Sequence, residues 1–243
     1  MKKLSVLSLT LFIATASFAG NSFTGNITIS TTKNGADTGK LTMVVKNDQM
    51  AFAGPEGQPL LLNISNGDLK TIIRQGNQQT IVKLNLGIFS SLGNLPSFLG
   101  PFGSYWGNAN DSDTKVHATS ETQTINGYSC KKYLIKNKKE ETTLWVTNDV
   151  PLSLEPLMNM LVKTEYLDKE LKGAFPMQAT TKNLTTGEVN AFQVSVEKKP
   201  VEDKLFEFPA GLMEMDMTPL IEQMLQNSTP EQVRSMLDQM MKF

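Results

Sequence analysis

Hydrophobic and polar residues alternate with period two through most of the chain. Phe23, Gly25, Ile27 and Ile29 alternate with Thr24, Asn26, Thr28 and Ser30, the pattern of a half-buried strand. Asn34-Gly35 is a turn signal, and Leu41, Met43 and Val45 mark the next strand up to Asn47-Asp48. Met50–Ala53, Leu60–Ile64, Leu69–Arg74 and Gln79–Leu84 follow, separated by Gly54-Pro55, Asn66-Gly67 and Gly76-Asn77. Strands resume at Lys115–Thr124, Tyr128–Asn137 and Thr142–Thr147, then at Phe175–Asn183 and Val189–Glu197, with a last short one at Leu205–Phe208. In Val189–Glu197, Phe192, Val194 and Val196 share a face. This predicts a mainly β (α+β) fold, a curved antiparallel sheet or incomplete barrel.

Two regions carry helical spacing instead. Ser153 caps the first, Pro156 sits in its first turn, and Leu157, Leu161 and Leu171 recur with Met158, Val162 and Tyr166 before Gly173. The tail predicts helices over about 218–241. Pro219–Gln226 is followed by a segment capped at Ser228 or Thr229, with Val233, Met236, Leu237 and Met240 on one stripe. Seven methionines, at 213, 215, 217, 224, 236, 240 and 241, fall in this region. Methionine adapts to irregular surroundings, so it serves here as core filler or as lining for a variable hydrophobic partner. An open sheet must cover one face, and these stripes supply the cover. No repeat or linker divides the chain, so residues 20–243 read as one domain.

One stretch breaks the pattern. From Leu84 to Asn110 no residue is charged, while Gly and Pro interrupt any regular element. The apolar insertion at about 86–107 is either core filling, a lid over an apolar ligand, or a docking surface. Its candidate lining residues are Phe89, Leu92, Leu95, Phe98, Leu99, Phe102, Tyr105 and Trp106. Such groups left in water are an aggregation liability, so something must cover them.

The N-terminus adds a compartment. Met1-Lys2-Lys3 precedes an apolar run from Leu4 to Ala16, then Ser17-Phe18-Ala19, which fits a signal peptide over residues 1–19. The expected location is periplasmic or extracellular. Of 243 residues, 23 are basic and 24 acidic. Losing Lys2 and Lys3 leaves 21 against 24, a net charge of −3. No sequence-wide basic face for nucleic acid results, and no later segment is long and apolar enough to span a membrane.

Chemistry is sparse. A single His117 and a single Cys130 disfavour zinc sites, Ser-His-Asp and Cys-His catalysis and internal disulfides. No phosphate-binding glycine motif occurs, and no cofactor or metal is expected. Cys130 reads as a small buried hydrophobe rather than a reactive thiol. Glu140-Glu141 and the run Lys136, Lys138 and Lys139 read as a solvated hairpin tip, the lysines able to meet an anionic head group. A paired-carboxylate hydrolase would need two acids meeting in space. The chain reads as a non-enzyme.

Three stretches carry a family resemblance. They are Ile125-Asn126-Gly127-Tyr128-Ser129-Cys130-Lys131-Lys132-Tyr133, Leu144-Trp145-Val146-Thr147-Asn148-Asp149-Val150 and Phe208-Pro209-Ala210-Gly211-Leu212-Met213-Glu214-Met215. In this order they resemble the secreted bacterial family known as domain of unknown function 4412, with Leu212 replacing an aromatic residue. That family is similar to the Lol-type periplasmic lipoprotein carriers. The resemblance implies an incomplete barrel with helices in its concave face, a hydrophobic cavity for acyl chains, and no catalytic residues. The expected function is binding or carrying a hydrophobic ligand, with lipid or lipoprotein as partner. The alternative is a structural or protein-interaction component of the bacterial envelope with a filled core.

Overall fold

A computed structural model describes residues 23–53, 59–75, 78–88, 113–154, 171, 173–229 and 232–233. Among the described residues, twelve strands form one curved, unclosed sheet. The first six are β1 (Thr24–Lys33), β2 (Ala36–Lys46), β3 (Gln49–Ala53), β4 (Pro59–Asn63), β5 (Asp68–Gln75) and β6 (Gln78–Asn85). The others are β7 (Lys115–Ile125), β8 (Tyr128–Lys136), β9 (Glu140–Thr147), β10 (Phe175–Asn183), β11 (Val189–Lys198) and β12 (Met213–Asp216). One helix, α1 (Thr218–Asn227), follows β12.

The order across the sheet is β12-β6-β5-β4-β3-β2-β1-β11-β10-β9-β8-β7. Two antiparallel meanders, β1–β6 and β7–β11, are joined where β1 pairs with β11, Ile27 opposite Val196 and Ile29 opposite Val194. The hairpin turns follow local chemistry. Asn34 and Gly35 take φ of 49° and 81°, and Asn126 and Gly127 take 50° and 84°, the left-handed pairing that suits tight hairpins. Asn47 does the same at 54°.

The alternation places one apolar side chain per two residues on a single inner face. Phe23, Ile27, Ile29, Val45, Leu62, Ile64, Met177 and Val194 are almost fully buried there or at its margin. Leu86 and Ile88, in a short 3₁₀ turn after β6, also enter this core, as do Met217, Ile221 of α1 and Val233. Gly173, at φ 71°, follows the helical Leu171, where the sequence ends its mid-chain helix, and Ala174 N–H donates to Leu171 O at 2.8 Å.

Two expectations are corrected. Leu205–Phe208 is not a strand: Asp203–Phe206 is a 3₁₀ helix. After β11 the chain leaves the middle of the sheet for the far edge of β6, and β12 is the strand it forms on arriving there. β12 also breaks the purely antiparallel expectation, because it pairs parallel with β6, Met213 opposite Thr80 through Asp216 opposite Lys83. A chain that crosses the sheet end before pairing can enter in either direction, whereas a tight hairpin enforces antiparallel pairing.

Candidate functional site: the inner face and its open end

Residues opposite each other in register share a face of the sheet. Following the pairs gives continuous inner-face rows. One runs Gly25, Val45, Met50, Leu62, Leu69 and Leu84 across β1 to β6, and its side chains are buried throughout. The next runs Ile27, Met43, Phe52, Leu60, Thr71, Val82 and Met215. It is buried up to Leu60, half-buried at Thr71 and Val82, and 46% exposed at Met215. A third level brings Ile73, Thr80 and Met213 together, with Ile73 half-buried and Met213 65% exposed.

The same gradient holds in the other meander. Leu144, Ala179 and Phe192 are buried in one row, while their row-mate Tyr133 is half-buried. One step further toward the hairpin tips, Val116, Ile135, Thr142 and Thr181 are all half-buried, and the two threonine hydroxyls bond at 2.8 Å. The inner face is therefore sealed at the end holding the β2–β3, β4–β5 and β7–β8 turns. Among the described residues it opens toward the end holding the β1–β2, β8–β9 and β10–β11 turns, and toward the β12 edge.

Several contacts make the seal. Asn126, in the β7–β8 turn, donates its side-chain N–H to Val194 O on β11 at 2.6 Å. The segment after β11 crosses this end, where Asp203 pairs with Lys46 of β2. Met217 N–H donates to Lys83 O at 2.9 Å, and Asn85 N–H donates to the Thr218 hydroxyl at 3.0 Å, fixing the start of α1 against β6.

The sequence-predicted lining residues Phe89, Leu92, Leu95, Phe98, Leu99, Phe102, Tyr105 and Trp106 lie outside the described residues. So does the mid-chain helix from 155 to 170. The described start of the uncharged stretch, Leu84, Leu86 and Ile88, is core. Sequence reading missed Leu41, Ile73, Tyr133 and Ile135, since each looks like any other apolar residue of an alternating strand.

The described polar groups near β6 and β12 make ion pairs that join strands. On the outer face Lys83 sits between Asp68 at 3.2 Å and Asp216 at 3.4 Å, and Lys70 pairs with Glu214 at 2.8 Å. The hydrogen bond from Lys83 to Asp68 raises the lysine pKa. Asp216 accepts the Thr218 backbone N–H at 2.9 Å, and this bond chiefly lowers its pKa. A general acid needs the opposite shift. Cys130 is fully buried and unpaired, and burial pushes its thiol pKa up. His117 is exposed on β7. Among the described residues no three His, Cys, Asp or Glu are grouped to hold a metal.

Comparison with known proteins adds the following. Residues 103–212 match the model of the family described as "Domain of unknown function (DUF4412)", bearing out the resemblance carried by the Cys130, Trp145 and Pro209 motifs. No curated protein matches. Among solved structures, PNGF-II is similar at 16% identity and a TM-score of 0.44, over 83% of this chain and 32% of that one. This chain thus spans about a third of PNGF-II's length. A DUF1329 family protein from Desulfovibrio piger ATCC 29098 is similar at 12% identity and a TM-score of 0.26, over 77% of this chain and 90% of that one. Likenesses this distant assign no activity. No described helix is long and apolar enough to cross a membrane.

Proposed function

We propose that this chain is a secreted protein of the bacterial envelope, periplasmic or extracellular, that binds or carries a hydrophobic ligand without transforming it. The observation that carries the reading is the inner-face gradient. Apolar rows buried at one end emerge half-covered at the other, ending in Met213 and Met215. Burying one such side chain contributes roughly 1.5–3 kcal/mol, so an apolar ligand covering several of them gains substantial affinity. Acyl chains of a lipid or lipoprotein fit an elongated apolar face, in line with the resemblance to Lol-type carriers. The test is native mass spectrometry of gently purified protein, before and after adding a long-chain fatty acid. The reading expects a mass shift of one ligand. A single delipidated mass that stays unchanged with added lipid contradicts it.

One observation favours a second reading, a structural or interaction component with a filled core. The row from Val45 to Leu84 is buried along its whole length. That reading expects no lipid uptake and a thermal midpoint indifferent to fatty acid.

A further inference from the structure

The two ends of the sheet differ in charge as well as in cover. In the strand halves and turns nearer the open end, the described residues include eight basic and six acidic groups, Glu214 of β12 among the acids. The rest of the described chain holds eight basic and ten acidic groups. The described residues are thus polarised along the strands, +2 against −2, although the whole sequence is nearly neutral.

Ion pairing sharpens the asymmetry. At the open end Lys33 pairs with Glu188 at 2.7 Å, Lys136 with Glu141 at 2.9 Å, and Lys138 with Asp113. Lys40, Arg74, Lys115, Lys139 and Lys182 are exposed and make no ion pair among the described residues. Lys182 only stands near enough to Glu141 to help lower its pKa.

Hydrogen bonds link the turns that carry part of this charge into one rim. Leu184 N–H donates to Lys139 O at 2.7 Å, tying the β10–β11 turn to the β8–β9 turn. Asn34 N–H donates to Val189 O at 2.7 Å, and Val189 N–H returns to the Asn34 side chain at 2.8 Å, tying in the β1–β2 turn. Leu184 itself is 42% exposed on this rim, flanked by Lys139 and Lys182. An exposed leucine among unpaired cations suits the boundary between water and anionic lipid.

We infer that the rim formed by the β1–β2, β8–β9 and β10–β11 turns docks on an anionic lipid surface, with Leu184 at the interface and Lys139 and Lys182 facing the head groups. This goes beyond ligand carriage: it rests on charge placement and holds whether or not the inner face takes a ligand. If both hold, the open end of the inner face is presented to the membrane.

The experiment is flotation of the full secreted chain with vesicles of phosphatidylcholine alone or mixed with phosphatidylglycerol. The expected result is binding only to the anionic vesicles, lost as salt rises from about 0.05 to 0.3 M. Lys139→Glu with Lys182→Glu weakens binding by roughly tenfold or more, and Leu184→Asp also weakens it. Lys198→Glu with Lys204→Glu, at the opposite end, leaves it intact. Circular dichroism confirms folding of each surface variant. No binding, equal binding to neutral vesicles, or equal loss from the Lys198 and Lys204 changes overturns the inference. Fatty-acid uptake in the mass spectrum is read separately, so either proposal can fail alone.

Discussion

The side chain of Asn126 donates to the backbone carbonyl of Val194 across 2.6 Å, although β8, β9 and β10 lie between β7 and β11 in the sheet order. A flat sheet would hold these residues more than 10 Å apart, since neighbouring strands are about 4.8 Å apart. The bond therefore records the curl of the sheet and helps close one end of the inner face.

Replacing Asn126 tests that closure. Asn126→Ala loses a partly buried hydrogen bond and places alanine at φ 50°, so unfolding free energy falls by about 1–2 kcal/mol. Asn126→Gly relieves the backbone but still lacks the bond, and falls between the two. Urea unfolding measures both. Alanine and wild type with equal midpoints would show that the turn does not seal the end.

The β1–β11 joint is tested at Gly25. Its φ is +154°, and a Cβ there would lie 2.0 Å from Glu197 O. Gly25→Ala should cost about 3 kcal/mol or more, because a backbone carbonyl cannot move aside like a flexible side chain. Gly35→Ala meets nothing within 4 Å and suffers only its positive φ of 81°, about 1–2 kcal/mol. Thermal melts that rank the two the other way would contradict the pairing of Gly25 with Lys198.

These two sites show what the sequence makes legible. Asn34-Gly35, Asn126-Gly127 and the alternating runs encode the hairpins locally, so nine of the twelve strands follow within two residues of the reading, whereas β1 runs three residues beyond Ser30 and β2 begins five residues before Leu41. The start of β9 at Glu140 comes two residues early, because Asn137 turns the chain by accepting the Lys139 and Glu140 N–H groups, both at 2.8 Å. The β1–β11 pairing joins residues far apart in the chain and has no local signal. Met213–Asp216 lacks β-branched residues and becomes a strand only because β6 offers a free edge. Leu205–Phe208 is apolar at three of its four positions but has no neighbouring strand to pair with. The candidate site is less legible still: composition exposes the uncharged stretch from Leu84, but the burial gradient through Leu41, Ile73 and Tyr133 exists only once the strands are in register.

Acid should weaken the β12 edge. The Asp216 pKa is lowered mainly by the Thr218 backbone N–H, with Lys83 adding to it, so its contribution is present above the ordinary carboxylate value. It is lost as pH falls through the lowered folded value, below about 4. Asp216→Asn should therefore be less stable than wild type at pH 7, with the gap shrinking below pH 4. A gap constant from pH 7 to 3 would contradict this role for the carboxylate.

Cys130 should be inert in the folded protein. Burial raises its pKa, so the reactive thiolate is scarce as well as covered. A thiol reagent should modify it at least a hundredfold faster in urea than in buffer. Cys130→Ala should fold, losing about 1 kcal/mol. Rapid native labelling would contradict the core placement.

The central claim is that an apolar chain lies on the inner face at its open end. Photo-crosslinking with a diazirine-bearing fatty acid, followed by peptide mapping, tests it directly. The account predicts adducts on Leu41, Ile73, Tyr133, Ile135 or Met213, suppressed by excess unlabelled fatty acid. Adducts confined to the outer face, or an undiminished yield under competition, would contradict it.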